Sequence, residues 1–277
     1  MRFGARAHDF GKGTPEELAA RIGGRGFSSI QLALAKALPG FQAGPGKLSP
    51  GFAAHIREAF YQQGLDIAIL GCYINMVHPD PTNRRQLLRY FQEHLRFARD
   101  FGCGLVGTET GSCNADYSFH PQNQSEGAFR AFLDSLEPLV ETAERFGTLV
   151  GIEPVERHVI SSPARLKRVL DAIQSPNLQV IFDPVNLLSP ANYHLQDAII
   201  KESFDLFGDD MVLIHAKDFV IADGQKQIVP AGQGLLNYRL VVDELNARKP
   251  YIDIMLEDHR PETTAAAMRF LKQTAGL

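Results

Sequence analysis

The chain has few cysteines: Cys72, Cys103 and Cys113 are the only ones in 277 residues, and no two have C-x-x-C spacing. An odd, scattered set excludes a disulfide framework and reads as reduced core thiols of a cytoplasmic protein. No stretch approaches the roughly 18 apolar residues a membrane helix needs, so no membrane partner is expected. The first residues, MRFGARAHDF, carry no apolar run after their charges, unlike a secretory signal. Positive charge is not in excess, with 28 Lys and Arg against 32 Asp and Glu and a net charge of −4. No global field would therefore gather nucleic acid or an anionic membrane surface. Linkers rich in Ser, Gly or Pro are missing, as are low-complexity tracts, which predicts a single domain over residues 1–277. Gly11 and Gly13 in HDFGKGTPEE fall short of the dinucleotide fingerprint G-x-G-x-x-G, and no G-x-S-x-G nucleophile motif occurs.

What is present is a regular alternation. Eight short apolar runs, Phe3–Ala7, Ser29–Leu34, Asp66–Gly71, Gly104–Thr108, Leu149–Glu153, Gln179–Asp183, Met211–His215 and Ile252–Glu257, have the length of buried parallel strands. Between them apolar residues recur at helical spacing, as in Arg84–Phe101 and Gly127–Phe146. Gly64, Gly102 and Gly147 stand where helices should stop. Pro15, Pro163 and Pro261, after Thr14, Ser162 and Arg260, stand where helices should start. Leu38–Pro50 reads as a long loop after the second strand. Eight unbroken β/α units predict an α/β fold, one (β/α)8 TIM barrel, rather than a doubly wound sheet.

In such a barrel the chemistry collects at the carboxyl ends of the strands. Those ends carry Glu109 in GTETGS, Glu153 in GIEPVERH, Asp183 in VIFDPVN, His215 in LIHAKD and Glu257 in MLEDHR. Any one acid at a strand end is an ordinary helix cap or loop anchor. Independent caps have no reason to recur at equivalent places, one β/α unit apart. Three carboxylates brought together would repel, and their pKa values would rise unless a cation sat among them. Glu153, Asp183, His215 and Glu257 form a mixed hard O/N donor set suited to Mn²⁺, Mg²⁺ or Co²⁺, with Zn²⁺ also accommodated.

These residues resemble the xylose isomerase-like barrels of the sugar phosphate isomerase/epimerase superfamily over nearly the whole chain. The resemblance rests on GIEP with Glu153, FDPVN with Asp183 and Asn186, IHAKD from Ile214 to Asp218, AGQG at 231–234 and MLED with Glu257. It implies one divalent ion, commonly manganese, on Glu153, Asp183, His215 and Glu257. The abasic-site endonuclease branch is disfavoured, because Glu109 and Asn186 stand where that branch has histidines and AKDFVIADGQKQ lacks its Asp-x-His pair.

The implied activity is metal-dependent sugar isomerisation or epimerisation: proton transfer next to a carbonyl through a metal-stabilised enediolate, with Glu153 and Glu257 as the acid/base pair. The alternatives are a lyase of the inosose dehydratase type on the same scaffold, or a barrel that binds sugar without turnover. A small sugar or polyol is the expected partner, and a homo-oligomer stays open. Glu109, Arg157, His158, Asn186 and Lys217 are candidate substrate contacts, with His8, Asn75 and Arg260 at the rim. Leu38–Pro50 and His78–Asn83 are the expected specificity loops.

Overall fold

A computed structural model describes the whole chain, Met1–Leu277. In chain order the elements are β1 (Arg2–Arg6), α1 (Pro15–Ile22), β2 (Ser29–Leu32), α2 (Leu34–Ala37), α3 (Pro50–Tyr61), β3 (Asp66–Gly71), α4 (Pro81–Phe97), β4 (Leu105–Glu109), α5 (Glu126–Phe146) and β5 (Leu149–Glu153). They continue with α6 (Pro163–Ile173), β6 (Leu178–Phe182), α7 (Gln196–Phe207), β7 (Met211–Ala216), β8 (Asp218–Ala222), β9 (Gln225–Val229), α8 (Tyr238–Arg248), β10 (Asp253–Leu256) and α9 (Thr264–Ala275). Eight parallel strands close in the order β1-β10-β7-β6-β5-β4-β3-β2, while β8 and β9 form a separate antiparallel pair. This is the expected TIM barrel.

The barrel interior is packed by branched side chains that need small neighbours. A Cβ on Gly107 of β4 would stand 2.5 Å from Ile181 and 2.6 Å from Ile69, and one on Gly151 of β5 would stand 2.9 Å from Ile181. Two glycines side by side in register thus make room for isoleucines from β3 and β6. The core is completed by helix faces such as Phe129, Phe132, Leu136, Leu139 and Ala143 of α5, the predicted stripe. Cys72 and Cys103 are buried and Cys113 half-buried, all three as free thiols. No helix is long and apolar enough to cross a membrane.

Local signals explain most boundaries. Thr14 forms a full capping box with Glu17 ahead of Pro15, and the Ser162 hydroxyl accepts from the Arg165 N–H ahead of Pro163. Gly147 closes α5 in the left-handed conformation. Pro261 does not open a helix: α9 begins at Thr264, because residues 260–263 make their own turn, in which Thr263 N–H donates to Arg260 and the Thr264 hydroxyl to Pro261. The predicted start of α4 at Arg84 also moves, to Pro81, because the Asp80 side chain accepts from Thr82 N–H. The run Ser29–Leu34 is cut at Leu32 by the single turn of α2. The β8–β9 hairpin was not anticipated. Its signal is Asp223-Gly224, both at positive φ (50° and 72°), the residue pair a tight hairpin turn requires.

Candidate metal centre

The barrel brings four of the five polar strand ends to one point. Glu153 ends β5, Asp183 follows β6, His215 lies near the end of β7 and Glu257 follows β10. One donor atom from each lies within 4.8 Å of all the others, and all four side chains are buried. Glu109, in register with Glu153 on the neighbouring strand, stays outside the cluster and lines the cavity above it.

Each of the four is oriented by a partner. Asn186 Nδ2 donates to Glu153 Oε1 at 2.7 Å. Asp183 Oδ1 accepts from the backbone N–H of Val185 and Asn186. His215 Nε2 lies 2.7 Å from Gln31 Oε1, and Gln31 in turn donates to the Tyr73 hydroxyl. Glu257 is paired with Arg6 through Oε1 and with Lys217 through Oε2, the latter at 3.2 Å. Arg6 and Gln31 come from the first two strands and were not anticipated from sequence. The available signals were an arginine inside the first apolar run and a glutamine inside the second.

The donor set fits a divalent cation on the structure's own terms. With the Nε2 proton directed at an amide oxygen, a neutral His215 turns its Nδ1 lone pair toward the carboxylates of Glu153 and Glu257, 3.1 and 3.3 Å away. Lone pair against carboxylate is repulsive unless a positive charge lies between them. Asp183 Oδ2 is buried and lacks a hydrogen bond, since Lys217 Nζ at 2.9 Å is close enough for an ion pair but poorly aligned as a donor. From the protein's charges alone, burial opposes a proton on His215, yet Glu153 and Glu257 overcome it and raise the imidazole to about 9. Burial pushes Asp183 up to about 6 against the pull of Lys217. Burial also works to raise Glu257, but Lys217, His215 and Arg6 hold it well below the usual carboxylate range.

Above Glu257, the one residue of the cluster that lines it, opens a cavity of about 490 Å³, and only 3 of its 15 lining residues are hydrophobic. Glu109, Arg157, Asn186 and Lys217, the candidate substrate contacts, line it. His158 does not. It is buried behind Glu109, its Nδ1 3.4 Å from Glu109 Oε2, with Tyr117 edge-on to its ring and no hydrogen bond at either nitrogen. Burial holds His158 neutral, near pKa 4, and raises Glu109 to about 7 with help from Glu153 and Glu257.

None of His8, Asn75 and Arg260 lines the cavity. Asn75 is spent bonding the backbone of Ser112 and Asn114. The loops Leu38–Pro50 and His78–Asn83 are also absent from the cavity wall, contrary to expectation, since His78, Asp80 and Asn83 bond one another at the head of α4. The wall is formed instead by Val155–Arg157, Asn186, Leu188–Pro190 and the hairpin residues Gln225, Lys226 and Ile228.

A closed parallel barrel with acids and a histidine at its strand ends defines a class, and sequence comparison places the chain within it. The family model of the xylose isomerase-like TIM barrel matches residues 17–274, so this chain belongs to that family. No curated protein sequence matches it significantly. Among solved structures it is similar to a D-psicose 3-epimerase, with 15% identity, full coverage of both chains and a TM-score of 0.77. It is also similar to the 3-keto-D-glucoside 4-epimerase YcjR from E. coli, with 18% identity, 99% of each chain covered and a TM-score of 0.73. A third similar structure is the IOLI protein with a bound zinc atom, with 15% identity, 99% of this chain and 96% of that one covered, and a TM-score of 0.72. At these identities the likeness is one of fold.

Proposed function

We propose that the protein is a divalent-metal-dependent sugar epimerase or isomerase that moves a proton at the carbon next to a carbonyl. The observation that carries this is the buried Glu153–Asp183–His215–Glu257 cluster, whose Glu257 lines a polar cavity. These four side chains would hold the ion, Mn²⁺ by preference. When bound, it supplies Lewis-acid polarisation of the substrate carbonyl, which acidifies the adjacent C–H.

The protein's own groups divide the remaining work. Glu153 has no lysine or arginine within ion-pair distance, whereas Glu257 is tied to Arg6 and Lys217. Glu153 is therefore placed to take the proton, and Glu257, after receiving a proton from solvent through the cavity, returns one to the enediolate. Lys217 Nζ places fixed positive charge beside the cavity floor, where the substrate oxygen becomes negative. Asn186 keeps Glu153 in place, and Glu109, backed by His158, receives a substrate hydroxyl. Return of the proton to the same carbon from the opposite face gives an epimer, and return to the neighbouring carbon gives an aldose–ketose isomer.

The test is incubation of metal-loaded protein with a panel of ketoses, ketose phosphates and inososes in D₂O. Isomer formation is followed by chromatography and label at the carbon beside the carbonyl by mass. An isomer of equal unlabelled mass, or deuterium at that carbon, is the expected result. Loss of water would assign a lyase instead, and neither label, isomer nor dehydrated product across the panel would refute the reading.

A further inference from the structure

We infer that the sugar this site accepts is neutral and carries no phosphate, a conclusion that rests on the proposed function and narrows it. Phosphate sites in (β/α)8 barrels are commonly built from backbone N–H groups in the loops after strands seven and eight. Here the loop after the seventh barrel strand has already spent those donors on a side chain of its own. The Asp218 carboxylate accepts from the N–H groups of Phe219, Gly232, Gly234 and Leu236 at 2.8–3.1 Å. Gly234 packs so closely on this carboxylate that a Cβ there would collide with it and with the Phe219 carbonyl. Asp218 is 1% exposed, so this ring of donors faces inward and not toward the cavity. A nest of N–H groups that would suit a phosphate is filled by the protein.

The cavity's cations are committed as well. Arg6 is paired with Asp9, Glu257 and Asp258. Lys217 is paired with Asp183, Glu257 and Asp258. Lys226 donates to the carbonyls of Val185 and Leu188. Arg157 alone faces the cavity without a partner, and it sits exposed at the mouth. Glu109 and Glu156 line the same space with no lysine or arginine paired to either. The lining N–H groups of Val155, Glu156, Asn186, Leu188, Ser189 and Glu257 are bonded within the chain. A dianionic phosphate would thus meet two carboxylates without a lysine or arginine partner, one exposed arginine and no open N–H nest in the loop after the seventh strand, whereas sugar hydroxyls can both donate to the acids and accept from Arg157.

Two measurements on the metal-loaded protein test this. The first compares kcat/KM for each ketose of the panel with that of its terminal phosphate ester. The second compares binding of an unreactive hexitol and its phosphate by calorimetry. Because placing like charges together costs several kcal/mol, the free sugar should be favoured by about 100-fold or more, and the hexitol should bind more tightly than its phosphate. Equal or better turnover or binding of the phosphate esters would overturn the inference and leave proton transfer standing. No turnover of either kind, with metal bound, would refute the proposed function and remove this inference with it.

Discussion

Each side chain of the Glu153–Asp183–His215–Glu257 cluster is steered by a neighbour, so single substitutions should separate holding the ion from moving the proton. Glu153→Gln should lower kcat by about 10²–10⁴-fold, the usual worth of a positioned acid or base, with a smaller change in KM. Glu257→Gln should be as severe, and because both residues are donors to the ion, metal content has to be measured alongside activity. Full activity with metal retained in either variant would remove that residue from the mechanism. Gln31→Leu isolates orientation. It leaves the Nε2–H of His215 without its acceptor in a buried site and frees the ring to change tautomer. Loss of such a partner typically weakens metal affinity by roughly 10–100-fold. Competition with a chelator would read this, and unchanged affinity would show that Gln31 does not position the histidine.

At the scale of elements, the β8–β9 hairpin works as a wall. Two short strands joined by a tight turn have little stability alone. This hairpin is held by Lys226, whose ammonium reaches over to the carbonyls that follow Asp183. The contact links the wall to the loop carrying a cluster residue. Lys226→Met keeps most of the stem's volume and removes the donor. It should raise KM several-fold with a smaller effect on kcat, and speed amide exchange over residues 218–229. Unchanged exchange there would show that the hairpin is fixed by other contacts, such as the packing of buried Phe219.

For the whole molecule, the buried histidines set a pH dependence whose sign can be worked out at one position far from the centre. His94 lies between α4 and the core at 1% exposure, with Nδ1 at the Tyr90 carbonyl and Nε2 unpartnered. Burial lowers its pKa from an ordinary 6.5. Below 6.5 the unfolded chain takes up a proton that the folded chain refuses, so stability is present above 6.5 and is lost as pH falls toward the lowered folded value. The slope is at most about 1.4 kcal/mol per pH unit for one such group. Other groups titrate in the same range, including Glu109 and Asp183, which act in the opposite sense, so the measurement is a difference. Urea unfolding of the protein and of His94→Gln should diverge below pH 6.5, the unsubstituted chain losing more stability. Parallel curves would mean that His94 is protonated in the fold.

The alternation of strands and helices was legible in the residues because it is local: run length, helical spacing and capping groups act over a few positions. The four cluster residues were legible for a related reason, as polar groups ending apolar runs at one position per β/α unit. Spacing alone could not say that Glu109, at an equivalent strand end, would stand apart from the four; the family resemblance implied it. Nor could it show that Arg6 would hold Glu257 across 251 positions of sequence. Both follow from ring closure, which sets β1 beside β10 and makes proximity independent of separation along the chain. The same holds for the cavity. Its walls are Val155–Arg157, Asn186, Leu188–Pro190 and a hairpin, not the loops expected to set specificity, because a wall depends on which way a loop folds after its strand. In the segment Asp218–Leu236 that direction is decided by one buried carboxylate and the backbone N–H groups it gathers, a choice that exists only once the barrel has brought them together.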